Sequence, residues 1–315
     1  MAENNRFPKA PGKGSEYNIL FIGNSYSYYW LDELWGQLKD AGYETVRVCD
    51  VYYSGCSFQR HLNWYEAKEA HYRFQIFESP ERRALEDVDL QTCLDYAKWD
   101  AIGFQQSGGD MYRGDTVTGP VQFREGIYAS LPKLYEIVRS QFPDAKYYWT
   151  QHWVHEVGTS GAKGLPDVAT QEGYMAGYRQ VSEEVCRDFG FVNVPLGDAW
   201  QAVRHDPMFY EAGNGEYPAR TLHTRVLTAG FKSYETICLH DLSHDGDMGG
   251  GQYLNASVFF ECLTGLSIVG NGFRPSYYHA PTDTTYRLTE AQIEKLQNAA
   301  HNAVCQLHGE GFYGK

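Results

Sequence analysis

A serine near the start of this chain and an aspartate–histidine pair far downstream could together carry out acyl transfer: Ser25, Asp241 and His244. A serine hydroxyl is a poor nucleophile at neutral pH. It needs an imidazole to accept its proton and a carboxylate to fix the imidazole tautomer. Ser25 closes the run Asn18-Ile19-Leu20-Phe21-Ile22-Gly23-Asn24-Ser25, the pattern of a buried strand running into a turn. Asp241 lies three residues before His244, so one turn of chain brings its carboxylate to the second imidazole nitrogen; Asp245 and Asp247 are alternatives for that place. The charge that develops on a tetrahedral intermediate needs fixed donors. The candidates are the backbone N–H of Ser25, the N–H of Gly55 and the side-chain amide of Gln105, with Gln106 as the alternate.

These residues need a scaffold that brings them to one edge. Strand-like runs are expected at 17–22, 45–53, 100–105, 146–153 and 191–196. Helical stretches are expected at 28–42, which Gly42 can end, in a run ending near 98, and at 122–141, 171–189, 251–263 and 289–306. Regular alternation of strand and helix argues for a parallel sheet covered on both faces, with ligands bound outside the carboxyl ends of the strands. Ser25, Gly55 and Gln105 each follow one of the first three strands. Irregular segments are expected at 56–90, 107–121, 155–170 and 201–240. Loops of that length are usually functional, and they read as the walls and lid of a substrate pocket. The chain divides into a polar tail, 1–16, and one domain, 17–310.

Composition narrows the function. The 315 residues are 43% hydrophobic and carry a net charge of −13 with no basic patch, which argues against nucleic acid and anionic membrane as partners. No apolar run is long enough to span a bilayer. The N-terminus carries Pro8 and Pro11 and lacks the apolar stretch of a secretion signal, so the expected location is cytoplasmic, or exported after removal of a signal. The seven cysteines are scattered without a Cys-x-x-Cys pair and read as reduced thiols, not structural zinc ligands. The 25 Tyr and 7 Trp fit either a large aromatic core or a sugar site. Tyr26, Trp30, His152 and Trp153 are the candidates for a pocket wall, with Trp64 and Trp200 beside them. His152 and His155, taken with His240, Asp241, His244, Asp245 and Asp247, could be read as metal ligands. At a strand end His152 and His155 share no helical face, and no metal or cofactor is expected. The Gly249-Gly250-Gly251 run has no adjacent lysine and is not a phosphate loop.

Four segments carry a family resemblance: Ile22-Gly23-Asn24-Ser25-Tyr26-Ser27, Tyr53-Ser54-Gly55-Cys56-Ser57, Trp99-Asp100-Ala101-Ile102-Gly103-Phe104-Gln105-Gln106-Ser107 and Asp241-Leu242-Ser243-His244. Together they resemble the SGNH hydrolases, or GDSL esterase/lipase superfamily. Within it they are similar to a bacterial branch with a Gly-Asn-Ser first block and a Gln-containing third block. The resemblance spans about residues 18–265. It implies a three-layer α/β/α sandwich with a five-stranded parallel, flavodoxin-like sheet and long rim loops. It also implies ester hydrolysis through an acyl-serine without a cofactor. By position Ser25 would be nucleophile and first oxyanion donor, Gly55 the second donor, His244 the base and Asp241 its orienting partner. Two positions depart from the family pattern. Asn24 stands where an aspartate is usual, and Ser107-Gly108-Gly109-Asp110 replaces Gly-x-Asn-Asp, so Gln105 is taken as the substitute donor. With the aromatic-rich loops, the expected activity is removal of small acyl groups, acetyl foremost, from a small acylated carbohydrate. The competing readings are a metal-dependent hydrolase using the His/Asp cluster and a non-catalytic carbohydrate-binding protein.

Overall fold

The first strand, β1 (Glu16–Ile22), is buried at every position but its first, because it lies at the centre of the sheet. A strand covered on both faces reads as a continuous apolar run, without alternation. Tyr17, Ile19 and Phe21 face one side and Leu20 and Ile22 the other, each set joining its own hydrophobic core. The computed structural model of the chain describes residues 10–106, 117–154, 168–204, 206, 208, 250–279 and 284–313.

Around β1 lie β2 (Thr45–Tyr52), β3 (Tyr72–Phe77), β4 (Arg83–Val88), β5 (Ala101–Phe104), β6 (Lys146–Thr150) and β7 (Val192–Val194), in the order β4-β3-β2-β1-β5-β6-β7. β1 pairs in parallel with β2 and β5, β5 with β6, and β6 with β7. β3 runs antiparallel to β2, and β4 antiparallel to β3 with a register shift between Tyr72 and Phe74. The helices are α1 (Ser25–Tyr28), α2 (Leu31–Asp40), α3 (Phe58–Ala67), α4 (Leu90–Leu94), α5 (Thr118–Tyr128), α6 (Leu131–Gln141), α7 (Val168–Phe189), α8 (Leu196–Val203), α9 (Gly250–Thr264) and α10 (Glu290–His308). Two short antiparallel strands, β8 (Tyr277–His279) and β9 (Thr284–Tyr286), stand apart from the main sheet.

Each sheet face has its own cover. Leu34 and Leu38 of α2, Trp200 of α8, Phe259 of α9 and Leu296 of α10 pack on the Phe21 face. Phe58 of α3, Leu94 of α4, Ile127 of α5, Leu134 of α6 and Tyr178 of α7 pack on the Leu20 face. Every residue of α9 is buried, its polar Gln252, Asn255, Ser257 and Glu261 included, because the helix is enclosed on all sides. Among the described residues no helix is long and apolar enough to cross a membrane.

The α/β architecture with helices about a central sheet agrees with the sequence reading, but the sheet does not. It has seven strands and is mixed, so the expected five-stranded, all-parallel, flavodoxin-like sheet is corrected. The extra strands come from the segment 56–90, expected to be irregular. It holds α3, opened by Ser57 whose hydroxyl accepts from Arg60 N–H at 3.3 Å, and the β3–β4 hairpin. β4 (RALEDV) is an edge strand with no fully buried residue. Charged edges of this kind hide from apolar patterning while guarding against edge-to-edge pairing. The single helix expected over 122–141 is two, α5 and α6, parted at Ala129–Ser130. Pro132 sits in the first turn of α6, where its fixed φ and missing N–H fit, and it cannot continue a helix from before. The helix expected over 28–42 likewise begins only at Leu31, after the four-residue α1. Its end is as expected: Gly42 takes φ +91° and donates to Lys39 O at 3.0 Å.

Candidate active site

The parallel strands all deliver their carboxyl ends to one edge, and the turn carrying Ser25 is built there. Gly23 leaves β1 with no room for a side chain. A Cβ would lie 2.7 Å from Gln105 Oε1 and 2.9 Å from Ser27 Oγ. Asn24 then caps α1: its Oδ1 accepts from Tyr26 N–H at 3.1 Å, and its Nδ2 donates to Cys56 O at 3.0 Å. This accounts for asparagine at a position where the family resemblance leads one to expect aspartate. A carboxylate has no hydrogen to offer the Cys56 carbonyl. Ser25 is the first residue of α1, keeps 8% of its surface exposed, and its hydroxyl has no hydrogen-bond partner among the described residues.

The other two sequence blocks meet this turn through direct hydrogen bonds. Gln105 N–H donates to Ile22 O at 3.1 Å, continuing the β1–β5 ladder, and Gln105 Oε1 accepts from Asn24 N–H at 3.1 Å. Gln106 Oε1 accepts from Phe58 N–H at 3.0 Å, at the start of α3. Gly55 takes φ +62° in the turn where Cys56 N–H donates to Tyr53 O at 3.1 Å, and the space over its Cα is open to 4 Å. Positive φ at the third position of such a turn is the ordinary place for glycine. The ends of β1, β2 and β5 are thus tied into one network.

The two glutamines differ in a way the strand alternation did not reveal. Because Asn24 N–H must donate, the Gln105 oxygen is fixed toward it, and the Gln105 Nε2 is left enclosed with no partner. Gln105 is 0% exposed, whereas Gln106 retains 5%. An amide nitrogen sealed from solvent cannot reach a ligand oxygen without rearrangement, so access favours Gln106, the alternate, over Gln105.

Beneath the turn lie two buried titratable groups that sequence reading missed. Asp50 of β2 is fully buried and lies 2.8 Å from Ser27 Oγ, which also lies 2.8 Å from Asn24 O. One hydroxyl hydrogen cannot serve both acceptors. Burial drives the Asp50 carboxyl well above its usual range, against a smaller opposing effect of Ser27. A neutral Asp50 satisfies the geometry: it donates to Ser27 Oγ, and Ser27 donates to Asn24 O. His61 of α3 is also fully buried, with Nε2 2.8 Å from Gly23 O and Nδ1 2.9 Å from Tyr72 OH. Since a carbonyl only accepts, Nε2 carries the hydrogen and Nδ1 accepts from the tyrosine. Burial lowers the His61 pKa to about 4, partly opposed by the Gly23 carbonyl. A neutral imidazole therefore anchors the peptide that precedes Asn24. The helical spacing of Phe58, His61 and Leu62 in α3 is the signal that could have placed His61 inward.

The residues expected to wall a pocket are mostly core. Trp30, 1% exposed, stacks on Phe259 with ring centroids 4.6 Å apart, meets Phe21 edge-on at 5.0 Å, and donates from Nε1 to Tyr26 O at 2.9 Å. Tyr26 packs edge-on against His152 at 4.2 Å and Trp153 at 5.3 Å. His152 and Trp153, each 1% exposed, stack on each other, and Trp153 stacks on Trp200 at 5.3 Å. No ring face of Trp30 or Trp153 is open to a ligand. Near the Gly55 turn, Tyr53 is 37% exposed and stands in edge contact with the half-buried Trp64 at 4.7 Å. His244, Asp241, Asp245, Asp247, His155 and His240 lie outside the described residues. Among the described residues no group of three or more His, Cys, Asp or Glu could hold a metal ion.

No family model matches the sequence, and no curated protein matches it. Among solved structures, a DUF4886 family protein from Bacteroides uniformis is similar over 94% of this chain and 96% of its own, with 19% identity and a TM-score of 0.68, which shows a shared fold. A protein assigned as an SGNH hydrolase from Slackia heliotrinireducens matches over 79% of this chain and 100% of its own, with 16% identity and a TM-score of 0.47. An acetylxylan esterase from Geobacillus stearothermophilus, crystallised as a catalytic mutant, matches over 60% of this chain and 80% of its own, with 14% identity and a TM-score of 0.40. The first of these three shows the fold alone, and the last two score too low to carry an argument.

Proposed function

We propose that the protein is a serine esterase that removes small acyl groups, acetyl foremost, from a carbohydrate through an acyl-serine intermediate. The observation that carries this reading is the junction of three strand ends at Ser25. Asn24 is hydrogen-bonded to Cys56 and to Gln105, and Phe58 to Gln106, so the three strand ends form one rim, with the serine hydroxyl left unpaired among the described residues. A preorganised nucleophile turn of this kind suits attack on a carbonyl, because orientation is fixed before the reaction begins.

In this reading Ser25 Oγ attacks the ester carbonyl while His244 takes its proton, and Asp241 holds the imidazole tautomer. The oxyanion rests on the N–H groups of Ser25 and Gly55 and on the amide of Gln106. His244 then protonates the departing sugar hydroxyl. Water repeats the sequence against the acyl-serine, releasing the acid and restoring the hydroxyl. Tyr53 and Trp64 beside the Gly55 turn supply the exposed aromatic surface that suits a sugar. The test is hydrolysis of 4-nitrophenyl acetate by the wild type, Ser25→Ala and His244→Ala. Each substitution should cost several orders of magnitude, and near wild-type rates in either would overturn the assignment. Mass spectrometry of acetylated oligosaccharides before and after incubation tests the substrate class: release of acetate supports it, and unchanged masses contradict it.

A further inference from the structure

On the sheet face away from the α3 side, α9, α10 and the C-terminal segment bring together a second set of reactive side chains. Glu261 of α9 is buried. Its Oε1 accepts from Ile268 N–H at 2.7 Å and from His301 Nδ1 at 3.1 Å, and its Oε2 accepts from Tyr313 OH. His301 and Cys305 stand one turn apart on α10, and Cys305 Sγ lies 3.5 Å from His301 Nε2. Ser267 Oγ lies 3.3 Å from His301 Nδ1, and the Tyr313 ring packs on the imidazole with centroids 5.0 Å apart. A nucleophile in contact with a base, itself oriented by a third group, is the recognised arrangement of an activated nucleophile.

The partners fix the direction of the relay. Glu261 Oε1 already accepts from Ile268 N–H and so acts as an acceptor, which puts the imidazole hydrogen on Nδ1 and turns the Nε2 lone pair to the thiol. Transfer of the thiol proton to Nε2 gives a thiolate beside an imidazolium whose charge is compensated by Glu261. Burial holds the Glu261 carboxyl above its ordinary range, against smaller opposing effects of Tyr313, Ile268 and His301. The last turn of α10 disfavours an anion through the partial charges of its carbonyls, but the imidazolium is in direct contact. The other described cysteines are situated differently. Cys49, Cys56, Cys93 and Cys262 are buried. Burial raises the thiols of all four, and that of the partly exposed Cys186 as well. Cys305 is half-buried and its neighbour His301 keeps 31% of its side chain exposed, which places the pair at the protein surface.

We propose that Cys305 is a peroxide-reactive thiol, activated by His301 and Glu261, that is oxidised to a sulfenic acid. In the step, the Cys305 thiolate attacks one oxygen of hydrogen peroxide. The S–O bond forms as the O–O bond breaks. The departing hydroxide takes the proton held on His301 and leaves as water. Sulfur is oxidised by two electrons, the peroxide is reduced, and Cys–SH plus peroxide becomes Cys–SOH plus water.

The experiment treats the full chain with hydrogen peroxide in the presence of dimedone and quantifies cysteine peptides by mass spectrometry. It includes Cys305→Ser, His301→Ala and His301→Gln; the last keeps a donor toward Glu261 while removing the base. The expected result is a dimedone adduct on the Cys305 peptide, formed at least about tenfold more slowly in both His301 variants and absent from Cys305→Ser. Equal rates in wild type and His301→Gln, or labelling of another cysteine ahead of Cys305, would overturn the proposal. The readout is independent of ester turnover and of Ser25.

Discussion

His61 makes the Ser25 turn sensitive to acid in a way that can be calculated. Its imidazole is fully buried, and its pKa falls from the ordinary 6.5 to about 4. The folded protein therefore binds fewer protons at this site than the unfolded chain between those values. The stabilising contribution is fully present above pH 6.5 and is lost as pH falls through about 4. A shift of that size corresponds to about 3 kcal/mol at roughly 1.4 kcal/mol per unit. That is a large share of a typical domain's net stability of about 5–15 kcal/mol. The assay is urea denaturation of wild type and His61→Gln at pH 7 and pH 4. Other carboxylates titrate across the same range, so the decisive quantity is the difference between the two proteins. The wild type should lose about 3 kcal/mol more than the variant on acidification, although the variant is the less stable at pH 7 because Tyr72 OH and Gly23 O lose their partner. Parallel losses in the two proteins would refute the argument and mean that the His61 imidazole is charged in the fold.

Other consequences follow from the same network. Asn24→Asp should cost about 1–3 kcal/mol in urea denaturation, because the Cys56 carbonyl would face an acceptor; an unchanged midpoint would mean that the contact contributes nothing. The Asp50 carboxyl is raised in the fold, so its contribution is present below the unfolded pKa and is lost as pH rises through the folded one. Asp50→Asn should accordingly gain stability relative to wild type between pH 4 and pH 8, and a difference in melting temperature that is constant with pH would contradict this. Gln106→Ala should lower ester turnover by roughly 10²–10³ if its amide serves the oxyanion, with Gln105→Ala acting mainly through stability; the reverse pattern would return the donor role to Gln105.

Most of the scaffold could be read from local pattern. The central strands are short apolar runs, and helices such as α2 and α6 have a clear buried face, α2 with Gly42 as its end signal. The β3–β4 hairpin was missed although Tyr72-Arg73-Phe74-Gln75-Ile76 of β3 alternates apolar and polar residues, because the charged edge strand β4 offers no apolar run to pair with it. Pairing with β2 supplies the stability that the local sequence of β3 and β4 does not advertise. The site divides similarly. Ser25, Gly55 and the two glutamines were visible because each follows a strand, and the structure ties their segments together. Asp50 and His61 act from beneath; nothing in the sequence around Asp50 marks it, and His61 is marked only by its helical spacing from Phe58. The aromatic residues Trp30 and Trp153 misled because tryptophan serves a core and a sugar platform equally well, and only burial separates the two uses.

The central claim is that the hydroxyl of Ser25 is an activated nucleophile. Incubation with a fluorophosphonate followed by peptide mass spectrometry tests it most directly. The account predicts one covalent adduct, on the peptide containing Ser25, and none in Ser25→Ala. Folded wild-type protein that remains unmodified, or that carries the adduct on a different serine, would contradict it.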